Sequence, residues 1–462
     1  MSSAALISAI LEIPVLGPLI SVVIPFVIVL AIVIFVHEFG HYIVGRWCGI
    51  AAEEFSLGFG GEVFGWTDSR GTRWRLSWLP LGGYVKFKGD ADVASGPDAA
   101  AVAELPPEER RNTLQGAPIW ARALTVAAGP GANFLLSIVV FAGLALAVGQ
   151  SSDEPVIAEI DPTGQGAGSG LREGDRIVSV DGEPVERMSS FLRAMFEREG
   201  ETLPVEVSRE GGSETLPITF VRLPQVSGFV PDAPAEQAGI QVGDVVQAID
   251  GQTIASFLDL KRIVEASNEC ALDFTVERNG EIFVTEVQPR IIERIDPVSG
   301  ELIRTPMIGV LSDLQIGLAS PMEGVGAGQA LNLGADATWR IVTGTFSYLG
   351  AIFAGAADGS SLGGPIGIAR ASGFQAQAGL VAFVAFIATV STAIGLINLF
   401  PIPILDGGHL VFYAIEAVRG RPLGERWVDA GMKVGLAAIL LLLVFATYND
   451  IARLFVAAPT GC

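Results

Sequence analysis

The chain has 462 residues, half of them hydrophobic and only 17% charged, with a mean hydropathy of +0.49, yet its net charge is -21 and its pI is near 4.6. A soluble domain usually has about a quarter of its residues charged, so composition implies long apolar segments joined to a separate acidic portion. The 50 acids against 29 Lys and Arg exclude nucleic-acid binding by a general basic surface, and Cys48, Cys270 and Cys462 are too scattered to form a cysteine zinc knuckle.

In chain order, the first predicted element is the uncharged run Ile13 to Val36, long enough to cross a bilayer core of about 30 Å. The first basic residue, Arg46, follows that run, which argues against a cleaved signal peptide. At its end lies His37-Glu38-Phe39-Gly40-His41. Histidines at i and i+4 share one helix face and can bind one metal ion, with Glu38 about 100° around as a general base, the H-E-x-x-H zinc hydrolase pattern. Polar groups in a spanning helix are costly and point to function.

The next stretch, to Trp120, is rich in Lys and Arg. Within it Thr72 to Phe87 reads as two apolar, aromatic strands around Pro80, Gly82 and Gly83, a hairpin that can dip into the membrane surface and pair an edge with an extended peptide. A plain cytosolic hairpin is the alternative. A second span runs from Ala123 to Val148 and contains Gly129-Pro130-Gly131-Ala132-Asn133-Phe134; Asn133 reads as a polar contact between helices, with substrate positioning as the alternative.

Between Ser151 and Ser320 about 30 acids face about 13 Lys and Arg, so most of the net charge sits there. The stretch repeats itself: Gly170-Leu171-Arg172-Glu173-Gly174-Asp175 with Asp181-Gly182 matches Gly239-Ile240-Gln241-Val242-Gly243-Asp244 with Asp250-Gly251 at a constant offset of 69. Each copy predicts a short strand, an Asp-Gly hairpin turn and a helix, at Ser189 to Arg198 and Ser256 to Ala266.

Met322 to Ala357 reads as one or two amphipathic helices on the membrane surface, acting as a gate or as an anchor. A third span, Gly379 to Leu405, ends in Asn398-Leu399-Phe400-Pro401-Ile402-Pro403-Ile404-Leu405-Asp406-Gly407-Gly408-His409. The prolines break the helix and free backbone groups, tolerated at membrane depth only where protein or a cavity satisfies them. Catalytic zinc takes three protein ligands; Asp406 is the natural third, and His409 competes. Such a donor set also suits iron or cobalt. A fourth span starts at Val434. The clusters after Arg46 and around Arg419, Arg421, Arg426 and Lys433 place both loops in the cytoplasm, and the termini and acidic middle on the other side.

Taken together, H-E-F-G-H, the Asn133 stretch, Leu362-Gly363-Gly364-Pro365-Ile366-Gly367-Ile368-Ala369 and the Asn398 to Gly408 motif resemble the site-2 protease family of intramembrane zinc metalloproteases, in its bacterial sigma-E regulatory form with tandem PDZ domains. The resemblance implies a polytopic α-helical inner-membrane protein of four transmembrane helices. Helix one with H-E-x-x-H occupies 1–45 and a cytoplasmic loop with a membrane-associated β-region 46–118; helix two follows at 119–150. Periplasmic α+β PDZ domains occupy 151–223 and 224–310, and amphipathic helices with the Gly-Gly-Pro loop 311–378. Helix three occupies 379–410, a cytoplasmic loop 411–433 and helix four 434–457. It further implies one zinc ion on His37, His41 and Asp406 near the cytoplasmic side, Glu38 as catalytic base, and Asn398, Pro401, Asn133, Gly82 and Gly83 as substrate-positioning candidates. For Asn398 a structural hydrogen bond to backbone freed near Pro401 stays open. Implied partners are the bilayer, single-pass substrates such as an anti-sigma factor after a first cleavage or remnant signal peptides, and extended peptides at the PDZ domains, unless these are spacers or a steric filter. A catalytically idle PDZ scaffold is the alternative function.

Overall fold

The computed structural model describes residues 19–90, 105–160, 165–209, 212–230, 233–267, 270–278, 280–295, 302–312, 318–354 and 364–455. The chain divides into two compact units: residues 1–147, 326–350 and 360–451 form one, and the acidic middle forms the bulk of the other.

The first unit is mainly helical. Four helices are long and apolar enough to cross a membrane: Ile20–Trp47, Ile119–Val148, Leu380–Asn398 and Arg426–Tyr448. The first comprises a π-helical turn at Leu19–Val23 and α1 (Ile24–Trp47); it continues past His41 for almost two turns, so the H-E-x-x-H motif lies inside the helix instead of at its end. The predicted start of this span before residue 19 lies outside the described residues. Helix α2 (Ile119–Val148) contains Pro130, whose missing N–H leaves a carbonyl one turn back unpaired within the helix.

The loop between α1 and α2 differs from the prediction. Two long antiparallel strands, β1 (Ala52–Thr67) and β2 (Arg73–Phe87), replace a hairpin confined to Thr72–Phe87. The turn lies between Thr67 and Arg73, and the partners run from Thr67↔Arg73 to Phe64↔Leu76 and from Leu57↔Gly83 to Ala52↔Phe87. Both strands bend midway. Gly58, Gly60 and Gly82 take positive φ at the bends, where β-carbons are disfavoured. Pro80 therefore sits within a bent strand and not at a hairpin tip.

The remaining helices of this unit follow the acidic middle. Ala327–Phe353 (α5, after α3, Met188–Glu197, and α4, Phe257–Ala266, of the second unit) is a single helix of 27 residues. It runs beside α2, with Gly334 packed on the backbone of Ile138 and Ala142, and its Phe346 ring lies 6.1 Å from Phe400. Helix α6 (Pro365–Ala378) leads through Gly379 directly into α7 (Leu380–Asn398). The third predicted span then divides: Pro401 and Pro403 end it, and Asp406 begins a separate helix, α8 (Asp406–Arg419). The expected loop 411–433 shrinks to the residues between α8 and α9 (Glu425–Phe455).

In the second unit the two copies fold alike. Each has a four-stranded antiparallel sheet, Arg176–Val180, Glu183–Pro184, Leu203–Arg209 and Gly212–Ile218 in the first, and Val245–Ile249, Gln252–Thr253, Leu272–Arg278 and Glu281–Val287 in the second. Helix α3 (Met188–Glu197) or α4 (Phe257–Ala266) accompanies each sheet. The Asp-Gly dipeptides form the two-residue turns expected, with positive φ at Asp181, Gly182, Asp250 and Gly251. Separate apolar cores lie around Phe191, Ile177 and Val205 and around Phe274, Val246 and Ile249.

Each copy also has a short strand pair whose second member comes from far along the chain. Gly228–Phe229 pairs with Val310–Leu311. At the equivalent place in the first copy, 69 residues earlier, Glu159–Ile160 pairs with Leu318–Ala319, and Leu318 packs on that copy's core. The first copy thus takes a strand from beyond the second, outside the segment 151–223.

Candidate metal centre

His37, His41 and Asp406 converge from α1 and α8. One ligand atom of each lies within 4.8 Å of the others, the group of this kind found among the described residues. His37 Nε2 is 3.2 Å from Asp406 Oδ2 and His41 Nε2 is 3.5 Å from Asp406 Oδ1. The two Nε2 atoms are 3.2 Å apart. His41 Nδ1 lies 2.9 Å from the carbonyl oxygen of Thr125. A carbonyl only accepts, so Nδ1 donates and a neutral His41 presents a bare lone pair at Nε2. Asp406 Oδ2 is buried and has no hydrogen-bond partner among the described residues. Lone pairs crowded in this way repel unless a cation sits among them. Two imidazoles and one carboxylate match the three protein ligands of a catalytic zinc site.

The local sequence makes this convergence physically available. A β-carbon at Gly129 would overlap the His41 ring, and one at Gly40 would overlap the Ala128 carbonyl and reach Ala132 at 2.7 Å. These two glycines let α1 and α2 approach with an imidazole between them. Helices α2 and α7 meet through small and polar groups, as bilayer-embedded helices commonly do: Ser391 Oγ donates to the Asn133 carbonyl at 2.9 Å and Ser137 Oγ to the Ala388 carbonyl at 2.7 Å. Asp406 opens α8, where unpaired N–H groups and the helix dipole favour an anion. The turn before it is strained: Ile404, a β-branched residue, has φ 95°, a conformation that costs about 1–3 kcal/mol and collects at functional sites. Gly407 and Gly408 leave space for the backbone of Leu399, Phe400 and Ile402 to lie against the first turn of α8. Farther along α8, Glu416 accepts two bonds from the Arg122 guanidinium, at 2.7 and 3.1 Å, tying this helix to α2.

The other candidates fall in different places. Glu38 lies half-buried beside β2, with the Val85 backbone N–H as a hydrogen-bond donor. Gly83 is needed there, since a β-carbon would lie 3.1 Å from Glu38 Cγ and 2.9 Å from Ile34. Gly82 is one bend residue, packed against the Phe59 ring. His409 is outside the metal group; its ring faces Phe412 edge-on at 6.2 Å. Asn398 closes α7, and its side chain makes no hydrogen bond among the described residues. Asn133 is fully buried with its amide 3.2 Å from His37 Nδ1. It therefore touches a candidate ligand, a contact between residues 96 apart that spacing could not reveal. Thr125, which orients His41, was not anticipated at all; nothing in its sequence surroundings marks it.

Comparison with known proteins agrees with this geometry. Residues 25–442 match peptidase family M50. The chain belongs to that family. Among the relatives of this M50 chain, a protein of Agrobacterium fabrum named for zinc metalloprotease activity is 39% identical over 438 residues, 95% of this chain and 97% of that one. One from Rhizobium meliloti, named likewise, is 40% identical over 430 residues, 93% and 96% of the two chains. Protease RseP of Yersinia pestis is 32% identical over 458 residues, 93% and 98% of the two. A solved PDZ domain of an SdrC-like protein of Listeria monocytogenes aligns with 21% of this chain and 90% of its own at 19% identity, with a TM-score of 0.16. The M50 chain is a multi-pass membrane zinc metalloprotease, with one catalytic zinc.

Proposed function

We propose that the chain is an intramembrane endopeptidase that cleaves single-pass membrane proteins, with His37, His41 and Asp406 holding zinc and Glu38 as the base. The observation that carries the reading is the convergence of three lone-pair donors, two on the apolar helix α1 and one just beyond the end of the apolar helix α7. Bound zinc supplies Lewis acidity toward the scissile carbonyl and lowers the pKa of water. Glu38 takes a proton from the attacking water and delivers it to the leaving amine. Thr125 and Asn133 hold the two imidazoles with their Nε2 atoms facing Asp406, where the three residues would hold the ion. Asn398, at the end of α7, is available to the substrate backbone or the oxyanion.

A helical substrate must be unwound before its carbonyl is exposed. The arm of β2 around Gly83 and Val85 lies against α1 beside Glu38, and it offers the extended substrate a strand to pair with. Val63, Phe64, Trp66 and Trp78 are exposed on the same pair of strands and suit contact with lipid. The resemblance to bacterial sigma-E regulatory proteases supports an anti-sigma factor or a remnant signal peptide as substrate. The distribution of Lys and Arg supports an active site near the cytoplasmic face of a bacterial inner membrane, with the acidic copies and the termini on the periplasmic side. There the two copies act as a filter against long ectodomains or as receptors for extended peptides.

The test is co-expression of the chain, or its Glu38→Gln form, with a tagged single-pass protein lacking its ectodomain. The native chain cleaves it and Glu38→Gln, with zinc still bound, does not; equal survival of the substrate with both ends the reading. Asp406→Ala should lose zinc and His409→Ala retain it, and the reverse result would move the third ligand to His409.

A further inference from the structure

One buried carboxylate has no part in this chemistry. Asp450, near the end of α9, is only 5% exposed, and buried charges persist where they are fully hydrogen-bonded. Its partners are the opening N–H groups of α6. Oδ1 accepts from Gly364 at 3.0 Å, and Oδ2 accepts from Ile366 at 3.1 Å and Gly367 at 3.0 Å. Pro365 has no N–H, so one remote side chain satisfies every donor from the N-cap through the third helical residue. Gly364 supplies no cap of its own. The seat is shaped for the carboxylate: a β-carbon at Gly364 would lie 2.6 Å from Oδ2 and 2.9 Å from the Ala446 backbone, and one at Gly367 would lie 3.3 Å from Oδ1.

The elements joined by this seat connect to the metal group in different ways, α6 through α7 and α9 by direct contact with the turn before Asp406. Helix α6, of 14 residues, is too short to cross a bilayer. It packs through Gly373 against Ser21 and Val22 in the π-helical turn before α1 and continues through Gly379 into α7. Helix α9 is largely exposed, and fifteen residues before Asp450, about 22 Å along its axis, Gly435 is packed directly on the Pro403 carbonyl, with Gly431 beside it. Pro403 lies three residues before Asp406, in the turn strained at Ile404.

We propose that Asp450 is a positioning residue for the metal site: by seating in the first turn of α6 it fixes α9, and α9 holds the turn that presents Asp406. This rests on Asp406 being a metal ligand, as argued above. The motif Gly364-Pro365-Ile366-Gly367 then has a defined task, forming a backbone socket for one carboxylate.

The test uses the full chain in nanodiscs, loaded with cobalt as a spectroscopic stand-in for zinc, as wild type, Asp450→Asn, Gly364→Ala, the double variant, and Asp429→Asn as a control on the exposed face of the same helix. Asp450→Asn and Gly364→Ala should each change the cobalt absorption bands and speed metal loss to a chelator about tenfold, the scale of indirect ligand support. Each should lower kcat by a similar factor with KM little changed. The double variant should be no worse than the poorer single, because both changes break one contact, and Asp429→Asn should match wild type. A wild-type cobalt spectrum and metal retention in Gly364→Ala overturn the proposal whatever Asp450→Asn does. So do variants that only melt earlier or fail to accumulate, which would assign the seat to folding alone. If wild type itself neither binds cobalt nor cleaves, the protease reading fails instead.

Discussion

The proton on His37 is a decision made by one amide. With Nδ2 of Asn133 turned toward His37 Nδ1, the amide oxygen is left buried without a partner among the described residues, and His37 would have to carry its proton on Nε2, the atom that faces Asp406. Turned over, Oδ1 accepts the Nδ1 proton and Nε2 keeps its lone pair for a metal. Asn133→Leu should therefore weaken metal binding by about 10–100-fold, and Asn133→Asp, which can still accept, should restore most of it; chelator competition measures both. Metal retention equal to wild type in Asn133→Leu would show that packing alone orients His37. The histidines and Asp406 were legible because few residue types bind zinc and each stood in a marked motif. Asn133 was legible as a polar group in a helix but not as a partner of His37, since that contact depends on how closely Gly40 and Gly129 let two helices approach.

Among the elements, the two sheets of the acidic unit share, beside their apolar cores, an ion pair at the repeated motif. Asp175 and Asp244 close the glycine-rich motif of each copy, and both are buried under an arginine 34 residues later, Arg209 or Arg278, at 2.6 and 2.7 Å. The same arginines bond the Gly170 and Gly239 carbonyls at 2.7 Å, so each motif turn is closed on both sides. The hydrogen bond from Arg278 holds the Asp244 carboxyl below its ordinary value of 3.8. Burial alone raises Asp175, but the bonds from Arg209 and the Arg172 N–H outweigh it and leave it lowered as well. A lowered carboxylate contributes stability that is complete above the ordinary value and is lost as pH falls through the lower folded-state one. Hydrogen exchange on the full chain should thus show both sheets losing protection below pH 3.8. Asp244→Asn should cost the second copy about 2 kcal/mol at neutral pH and flatten its acid response; an unchanged acid response would remove the pair from the account. Strand, turn and helix positions in these copies followed from spacing, because Asp-Gly turns and alternating apolar residues are local signals. The bent β1–β2 pair did not, because its pairing depends on bends at Gly58 and Gly82 that no alternation marks. The division between α7 and α8 was half legible: the prolines announced a break, but not that Asp406 would begin a new helix.

At the scale of the whole molecule, the two copies are not beads on a string. Val310–Leu311 serves the second copy and Leu318–Ala319 the first, and the sequence around them is itself a small repeat, Met307-Ile308-Gly309-Val310-Leu311-Ser312 followed eight residues later by Gln315-Ile316-Gly317-Leu318-Ala319-Ser320. That repeat was the overlooked signal for a strand supplied from a distance. Leu318→Asp should destabilise the first copy by about 2 kcal/mol or more while leaving the second unchanged, as read by hydrogen exchange on each sheet; equal loosening of both would mean that the strand serves no particular copy. The arrangement also sets an order in time. Domains ordinarily fold from the N-terminal end as the ribosome releases them, at roughly 5–20 residues per second. Here Leu318 emerges roughly 100 residues after the last strand of the first sheet, Gly212–Ile218, so the first copy waits about 5–20 s for its final strand. The second copy is therefore free to finish folding first, and any chaperone that guards this protein during translation meets the earlier copy with an open edge.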